Sequence, residues 1–219
     1  MQMDSGRRTN PERSAEMRAR LISAARALFV ADGYAATSTP ALVSKAGVTR
    51  GALYHHFPDK QAVFQAVVEA ESAAVAQAID DAEAANMSAF NRLLAGARAY
   101  IQAMRVAGRV RLILVDGPAV LGRETMQAIE ARHGDASLKI GLQGAMSEGA
   151  LPDLPLNALS ALLSAMFERA AMEVAEGRNP AEVLVVLEQI LHGLSNRQGE
   201  AETGLWLNAR SSDAPPGRP

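Results

Sequence analysis

Residues 37–60 read TSTPALVSKAGVTRGALYHHFPDK, and three helix starts are written into them. Thr37-Ser38-Thr39-Pro40 offers a hydroxyl cap with proline in the first turn, which predicts a short helix over Thr39–Ala46. Gly47 breaks it. Thr49 caps a second short helix from Arg50 to about His56, and Pro58-Asp59 ends that one and caps a longer helix opening at Lys60. Two short helices about a glycine turn have helix-turn-helix dimensions. Such a unit needs a small residue in the turn (Gly47) and an apolar one just after it (Val48). It also needs apolar positions facing the first helix, which Leu42, Val43, Ala46 and Leu53 supply. The second helix then projects its N-terminal residues outward, where they can enter a major groove.

Outward from this stretch the signals stay helical. Ser14–Asp32 carries an apolar face of Met17, Leu21, Ala24, Ala25, Leu28 and Phe29, with Gly33 as a left-handed cap. The helix from Lys60 is expected to reach about Ala85. Beyond it come Ser88–Val106, a weaker region Arg109–Leu121 bent by Gly117-Pro118, Arg123–Arg132 and Ser137–Glu148. Two strongly apolar helices follow, Asn157–Glu176 and Pro180–Leu194, the second announced by Gly177, the cap Asn179 and Glu182. Aromatic residues are only 4% and no segment alternates like a strand, so the fold class is all-α with about nine helices. The divisions expected are a flexible arm over 1–13, a helix-turn-helix domain over 14–60, a larger helical domain over 61–196 and a flexible tail over 197–219. Trp206 docks the last of these loosely.

Composition bounds the chemistry. The chain has 219 residues, 48% hydrophobic and 21% charged, an ordinary globular balance for one or two domains. It has no cysteine, which excludes a disulfide framework, a thiolate metal site and a cysteine nucleophile together. No run approaches the ~20 consecutive apolar residues of a spanning helix, and no charged-then-apolar leader opens the chain. The expectation is a soluble cytoplasmic protein without a membrane partner. Its formal charge of -2 hides an asymmetry: residues 1–60 hold nine Lys and Arg against five Asp and Glu, and the remainder holds thirteen against nineteen. A basic first quarter on an acidic remainder points to different partners for the two parts.

The sequence Gly33-Tyr34, Thr37-Ser38, Ala46-Gly47-Val48-Thr49-Arg50-Gly51-Ala52-Leu53-Tyr54-His55-His56-Phe57 and Lys60 resembles the DNA-binding domain of the TetR family of bacterial transcriptional regulators. The likeness covers about Ala15–Val75, a third of the chain. It departs from the usual pattern where Leu42-Val43 replaces Ile-Ala and Thr49 replaces Ser, changes that keep an aliphatic pair and a hydroxyl cap. Ser38 and Thr39 can offer hydroxyl and backbone N–H groups to a phosphate at a positive helix end, and Thr49 caps the recognition helix. Arg50 is the base-reading candidate, since its fork fits guanine O6 and N7. Gly51 and Ala52 allow close approach, and the Ala52 methyl can meet a thymine methyl. By resemblance, Tyr54, His55 and Lys60 contact sugar-phosphate. Phe57 and Tyr34 read as structural. His55 and His56 point about 100° apart on a helix and do not share an ion easily, so no metal and no cofactor is expected.

Catalysis is not expected. Glu130-Ala131-Arg132-His133 is a single Glu-x-x-His set without the partner a di-iron bundle needs, and no phosphate loop or nucleophile elbow is present. The resemblance implies that the larger domain dimerises and senses. It assigns the last two helices to a four-helix homodimer interface, with Leu159, Leu163, Ala170, Leu184, Leu187 and Leu191 as candidates; burial within the monomer competes for the same stripe. A sensing pocket for an unnamed small-molecule effector would draw on Phe90, Leu94, Met104, Leu112, Asp116, Met126, Met146, Met166 and Phe167, with Arg111 and Glu168 as further polar groups. The function expected is that of a regulator, most often a repressor, released from near-palindromic operator DNA by a small molecule. The alternative is a DNA-binding adaptor without a ligand. A cavity of some hundreds of Å³ in the larger domain separates the two.

Overall fold

Thr9 and Glu12 cap each other: the Thr9 hydroxyl accepts the Glu12 N–H at 3.4 Å, and the Glu12 carboxylate accepts the Thr9 N–H at 2.7 Å. With Pro11 in the first turn, this pair starts α1 at Asn10 rather than at Ser14. The structure, a computed structural model, describes residues 9–84 and 86–195. The arm expected over 1–13 is thus helical from Asn10. Its residues 1–8, the expected tail and Trp206 lie outside the described residues. α1 (Asn10–Ala36) is interrupted at Gly33, with φ 81° and ψ 166°, and a last turn runs on beyond the expected stop.

α2 (Thr39–Ala46) and α3 (Arg50–His56) have the bounds their caps predict. Asp59 opens α4 (Lys60–Asp81), its Oδ1 accepting the Ala62 N–H at 2.7 Å. α5 (Ala89–Met104) starts from Ser88. A π-helical turn, Arg111–Asp116, leads directly into α6 (Gly117–His133), and α6 is itself broken at Gly122, φ 79° and ψ 165°, where the two expected pieces meet. Pro118 explains the π turn, because a proline has no N–H and its ring displaces the carbonyl four residues earlier. The backbone widens there, and the Gly117 N–H bonds to the carbonyl of Leu112. α7 (Asp135–Ser147), α8 (Leu156–Ala175) and α9 (Pro180–Leu194) complete the chain. Nine α-helices and no strand lie among the described residues.

Two cores share one helix. Leu21, Phe29, Leu42, Leu53, Val63 and Phe64 fill the smaller, each at most 1% exposed. Burying a side chain of this size fully stabilises by about 1.5–3 kcal/mol. Leu112, Met126 and Ile129, from the π turn and α6, close that core from beyond α4. The larger core gathers Val75, Leu93, Ile101, Leu142, Leu163, Phe167 and Leu187 from α4, α5, α7, α8 and α9. By length and composition alone, α4 is apolar enough to cross a membrane, a candidate the run-counting above passed over. Its Val63, Phe64, Val67 and Val68 are fully buried against α1 and α6.

The two parts are also tied by charge. Glu71 on α4 accepts from Arg26 Nε of α1 at 2.8 Å and from Arg109 Nε at 2.8 Å. Arg26 further donates to the Ala107 carbonyl and Arg109 to the Ala103 carbonyl. Burial alone would raise the Glu71 pKa; the hydrogen bonds from the two arginines outweigh it and hold the carboxyl below its ordinary range. Gly108, between the two arginine-bonded carbonyls and the π turn, has φ 80°, and a Cβ there would lie 2.4 Å from Val30 Cγ2. Only glycine lets this link approach α1 so closely.

Candidate functional site

The turn between α2 and α3 is held from both sides. Gly47 adopts the left-handed conformation, φ 63° and ψ 42°, and Arg20 of α1 donates to the Ala46 carbonyl at 2.8 Å. Leu42 and Leu53, both 1% exposed, fix the angle between the helices, and Phe57 closes the end of α3 under the Arg18 guanidinium. Tyr34 packs against Phe29 and Phe64. With its apolar side thus committed, α3 turns Thr49, Arg50, Gly51, Tyr54 and His55 outward; Ala52 is half-buried.

The Thr49 hydroxyl accepts the Ala52 N–H at 3.1 Å, and the Ser38 hydroxyl accepts the Ala41 N–H at 3.3 Å. Each hydroxyl hydrogen remains a donor at a helix start, beside a partly exposed Thr39. The Arg50 guanidinium lies 5.5 Å from the centre of the Tyr54 ring. An exposed contact of this kind is worth about 0.5–1 kcal/mol and holds the fork along the outer face of α3. His56 is pushed below the usual histidine range by partial burial, then by the charges of His55 and Arg18.

Lys60 is placed differently from the free phosphate donor the resemblance implies. Its Nζ donates to the carbonyls of Tyr34 at 2.9 Å and Thr37 at 3.0 Å and sits 4.2 Å from the Tyr34 ring centre. These carbonyls belong to the last turn of α1 and to Thr37, its C-cap, where helix carbonyls lack a full helical partner. The ammonium satisfies both, which leaves one N–H direction open.

A cavity of about 500 Å³ lies between α4, α5, α6, α7 and α8. Of the residues expected to line it, Met104, Phe167 and Glu168 do so. Phe90 instead stacks near His192, and Leu94, Met146 and Met166 belong to the larger core. Leu112, in the π turn, and Met126, in α6 beyond the break at Gly122, belong to the smaller core. Asp116 pairs with Arg111 at 3.2 Å, its Oδ2 buried without an aligned hydrogen bond. The lining that the sequence reading missed includes Tyr100, Gln127, Glu130, His133 and Ser137. The Glu130-x-x-His133 pair, weighed only as a metal set, was the one local signal. No group of three or more His, Asp and Glu that could hold a metal ion occurs among the described residues.

The interface candidates also need correction. Leu163, Ala170, Leu187 and Leu191 are at most 8% exposed and fill the protomer's own core, with Leu159 and Leu184 packed against it. A stripe at every fourth position faces the nearest packed layer, and here that layer is α5 for α9 and α7 with α5 for α8. The apolar residues left outside are Leu162 at 72%, Val185 at 60%, Val186 at 58% and Ile190 at 43%.

Comparison with known proteins follows this geometry. Residues 21–67 match the family model described as bacterial regulatory proteins, tetR family, and residues 90–195 match the tetracyclin repressor-like C-terminal domain. A solved structure of a TetR-family transcriptional regulator from Pectobacterium atrosepticum is 31% identical, with a TM-score of 0.69, over 86% of this chain and 98% of that one. NemR from Escherichia coli in its reduced form shares the fold at 19% identity, a TM-score of 0.66, 83% of this chain and 97% of that one. The HTH-type transcriptional regulator SrpR of Pseudomonas putida is 49% identical over 53 residues, 24% of this chain and 25% of that relative. The chain thus spans between 23% and 40% of the length of the curated relatives it matches.

Proposed function

Because the chain belongs to the TetR family and is a DNA-binding transcriptional regulator, acting by binding rather than by catalysis, we propose that it works as a homodimeric repressor released by a small molecule. Two copies place two α3 helices about one DNA turn apart, ~34–36 Å, on a near-palindromic operator. Arg50 reads a base, Gly51 and Ala52 permit approach, and Ser38, Thr39, Thr49, Tyr54, His55 and the open N–H of Lys60 meet the backbone. A protein that reads the chromosome works in the cytoplasm.

The observation that carries the ligand response is α4. Its first half, Val63 to Val68, is core to the helix-turn-helix unit, and its second half, through Ser72, Val75, Ala76 and Ile79, forms a wall of the 500 Å³ cavity. A ligand filling the cavity pushes on the helix that positions α3. An adaptor without a ligand has no use for such a cavity, which favours the sensing reading.

The test is selection of genomic fragments by the purified full-length chain, followed by footprinting. A symmetric footprint with half-sites one helical turn apart is expected. Compounds that bind the protein are then titrated against the complex, and a compound that binds the protein and leaves operator affinity unchanged refutes the coupling. By linkage, operator must weaken effector binding by the same factor, typically about 5–150-fold.

A further inference from the structure

The cavity is not neutral. Charged or titratable side chains on its wall are Glu83, Glu130 and Glu168 against Arg92 and His133. Arg92 is turned to other work, donating to the Met87 carbonyl at 2.7 Å and pairing with Glu148 at 4.0 Å. Glu83, beyond the end of α4, and Glu130 on α6 are exposed at the rim, and the half-buried Glu168 on α8 is the carboxylate of the interior. Against them stand two rings, Tyr100 and Phe167, with centroids 6.0 Å apart and planes 51° apart. Gly96, Ala97, Ala161 and Ala165 give the remaining walls little side-chain bulk, which leaves flat space beside the rings.

We propose that this cavity takes an organic cation carrying a fused aromatic system, with Glu168 as its counter-charge, Glu130 adding negative potential from the rim, and Tyr100 and Phe167 as its walls. The inference rests on the reading of the cavity as an effector site and gives that site a ligand class. The volume suits a molecule of drug-like size. Ring faces attract a cation, and carboxylates within a low-dielectric cavity attract it more strongly than they would in water. An anion meets the opposite field. Burial, and then the charge of Glu130, raise the Glu168 pKa above the ordinary carboxylate range; burial, and then the charges of Glu168 and Glu130, raise the Tyr100 phenol. The like-charge part of each shift is what a bound cation relieves.

Three probes of matched ring size separate charge from shape: N-methylacridinium, neutral acridine at pH 7.5 and anthracene-9-carboxylate. Each is titrated calorimetrically into the full-length protein without DNA. The cation is expected to bind at least about tenfold tighter than acridine, and the carboxylate weakest. Glu168→Gln should cost the cation about tenfold and leave acridine unchanged; Glu130→Gln should act in the same direction. Thermal unfolding of each variant without ligand confirms that it is folded. Equal or tighter binding of acridine or the carboxylate overturns the proposal, as does failure of all three to bind, or a cation affinity indifferent to both substitutions. Operator release is measured separately. Glu168-dependent cation binding that leaves operator bound upholds the ligand class and sinks the effector reading. Release by a neutral aromatic does the reverse.

Discussion

Arg50 and Lys60 both open helices, ten residues apart, and the fold uses their charges differently. Arg50 has no partner inside the unit beyond the Tyr54 ring, and its fork stays at the exposed edge of α3. Arg50→Ala is therefore expected to cost about 1–3 kcal/mol at one operator position and to flatten preference there. Arg50→Lys should fail to restore it, because an ammonium lacks the planar fork. A binding profile across all single-base operator variants checks both. Lys60 spends two donors on the Tyr34 and Thr37 carbonyls, so Lys60→Met leaves two poorly paired acceptors. That substitution should destabilise the fold by about 1–3 kcal/mol in urea unfolding and leave base preference unchanged. If the third N–H also meets a phosphate, the salt slope of operator binding falls by about one per subunit as well. The outward placing of Thr49, Arg50 and Gly51 was legible because it follows from a cap and a turn within a few residues. The internal role of Lys60 was not, since its partners lie 23 and 26 residues away in sequence.

The last two helices show what periodicity can and cannot decide. Spacing at every third and fourth residue located α8 and α9 to within a residue, and Asn179 and Pro180 marked the second start. Which of the apolar faces meets a partner is a property of the layer beside it, and no local pattern encodes that. Leu162 and Val186 stand outside the protomer, whereas Leu163 and Leu187 are inside it. Leu162→Glu combined with Val186→Glu is expected to yield a folded monomer with unchanged far-ultraviolet circular dichroism and weakened operator binding. Leu187→Glu should instead unfold the chain, because it places a carboxylate where exposure is 3%. Light scattering at micromolar concentration distinguishes the two, and a dimer that survives the double substitution rejects this face. The π turn escaped the sequence reading for a related reason. Gly117-Pro118 announced a disturbance, but the choice between a bend and a widened turn depends on the contacts that Leu112 finds in the smaller core.

At the scale of the whole molecule, α4 and the Glu71 clamp join what the sequence reading divided near residue 60. Glu71 is 7% exposed and holds α1 through Arg26 and the α5–π link through Arg109. Glu71→Gln leaves two guanidinium groups short of a charge and should cost about 3 kcal/mol of stability near neutral pH. The carboxyl has a folded pKa below its unfolded one, so its contribution is complete above about 4.5 and lost as pH falls through the folded value. Urea unfolding of both proteins from pH 7 to pH 3 should show the gap full at neutrality and closing in acid; a constant gap means that the charge is not responsible. The cavity was illegible at this scale because five separate helices line it. The closure of the smaller core by Leu112, Met126 and Ile129 bears on how the protein is made. On the ribosome the DNA-reading helices emerge first, yet their core lacks a side until residue 129 has followed. A fragment ending at Asp81 should show no cooperative melt by circular dichroism, and extension through His133 should restore one. Nascent and truncated chains are then expected to hold no operator, and DNA affinity arrives only once the chain has been made well past the helices that carry it.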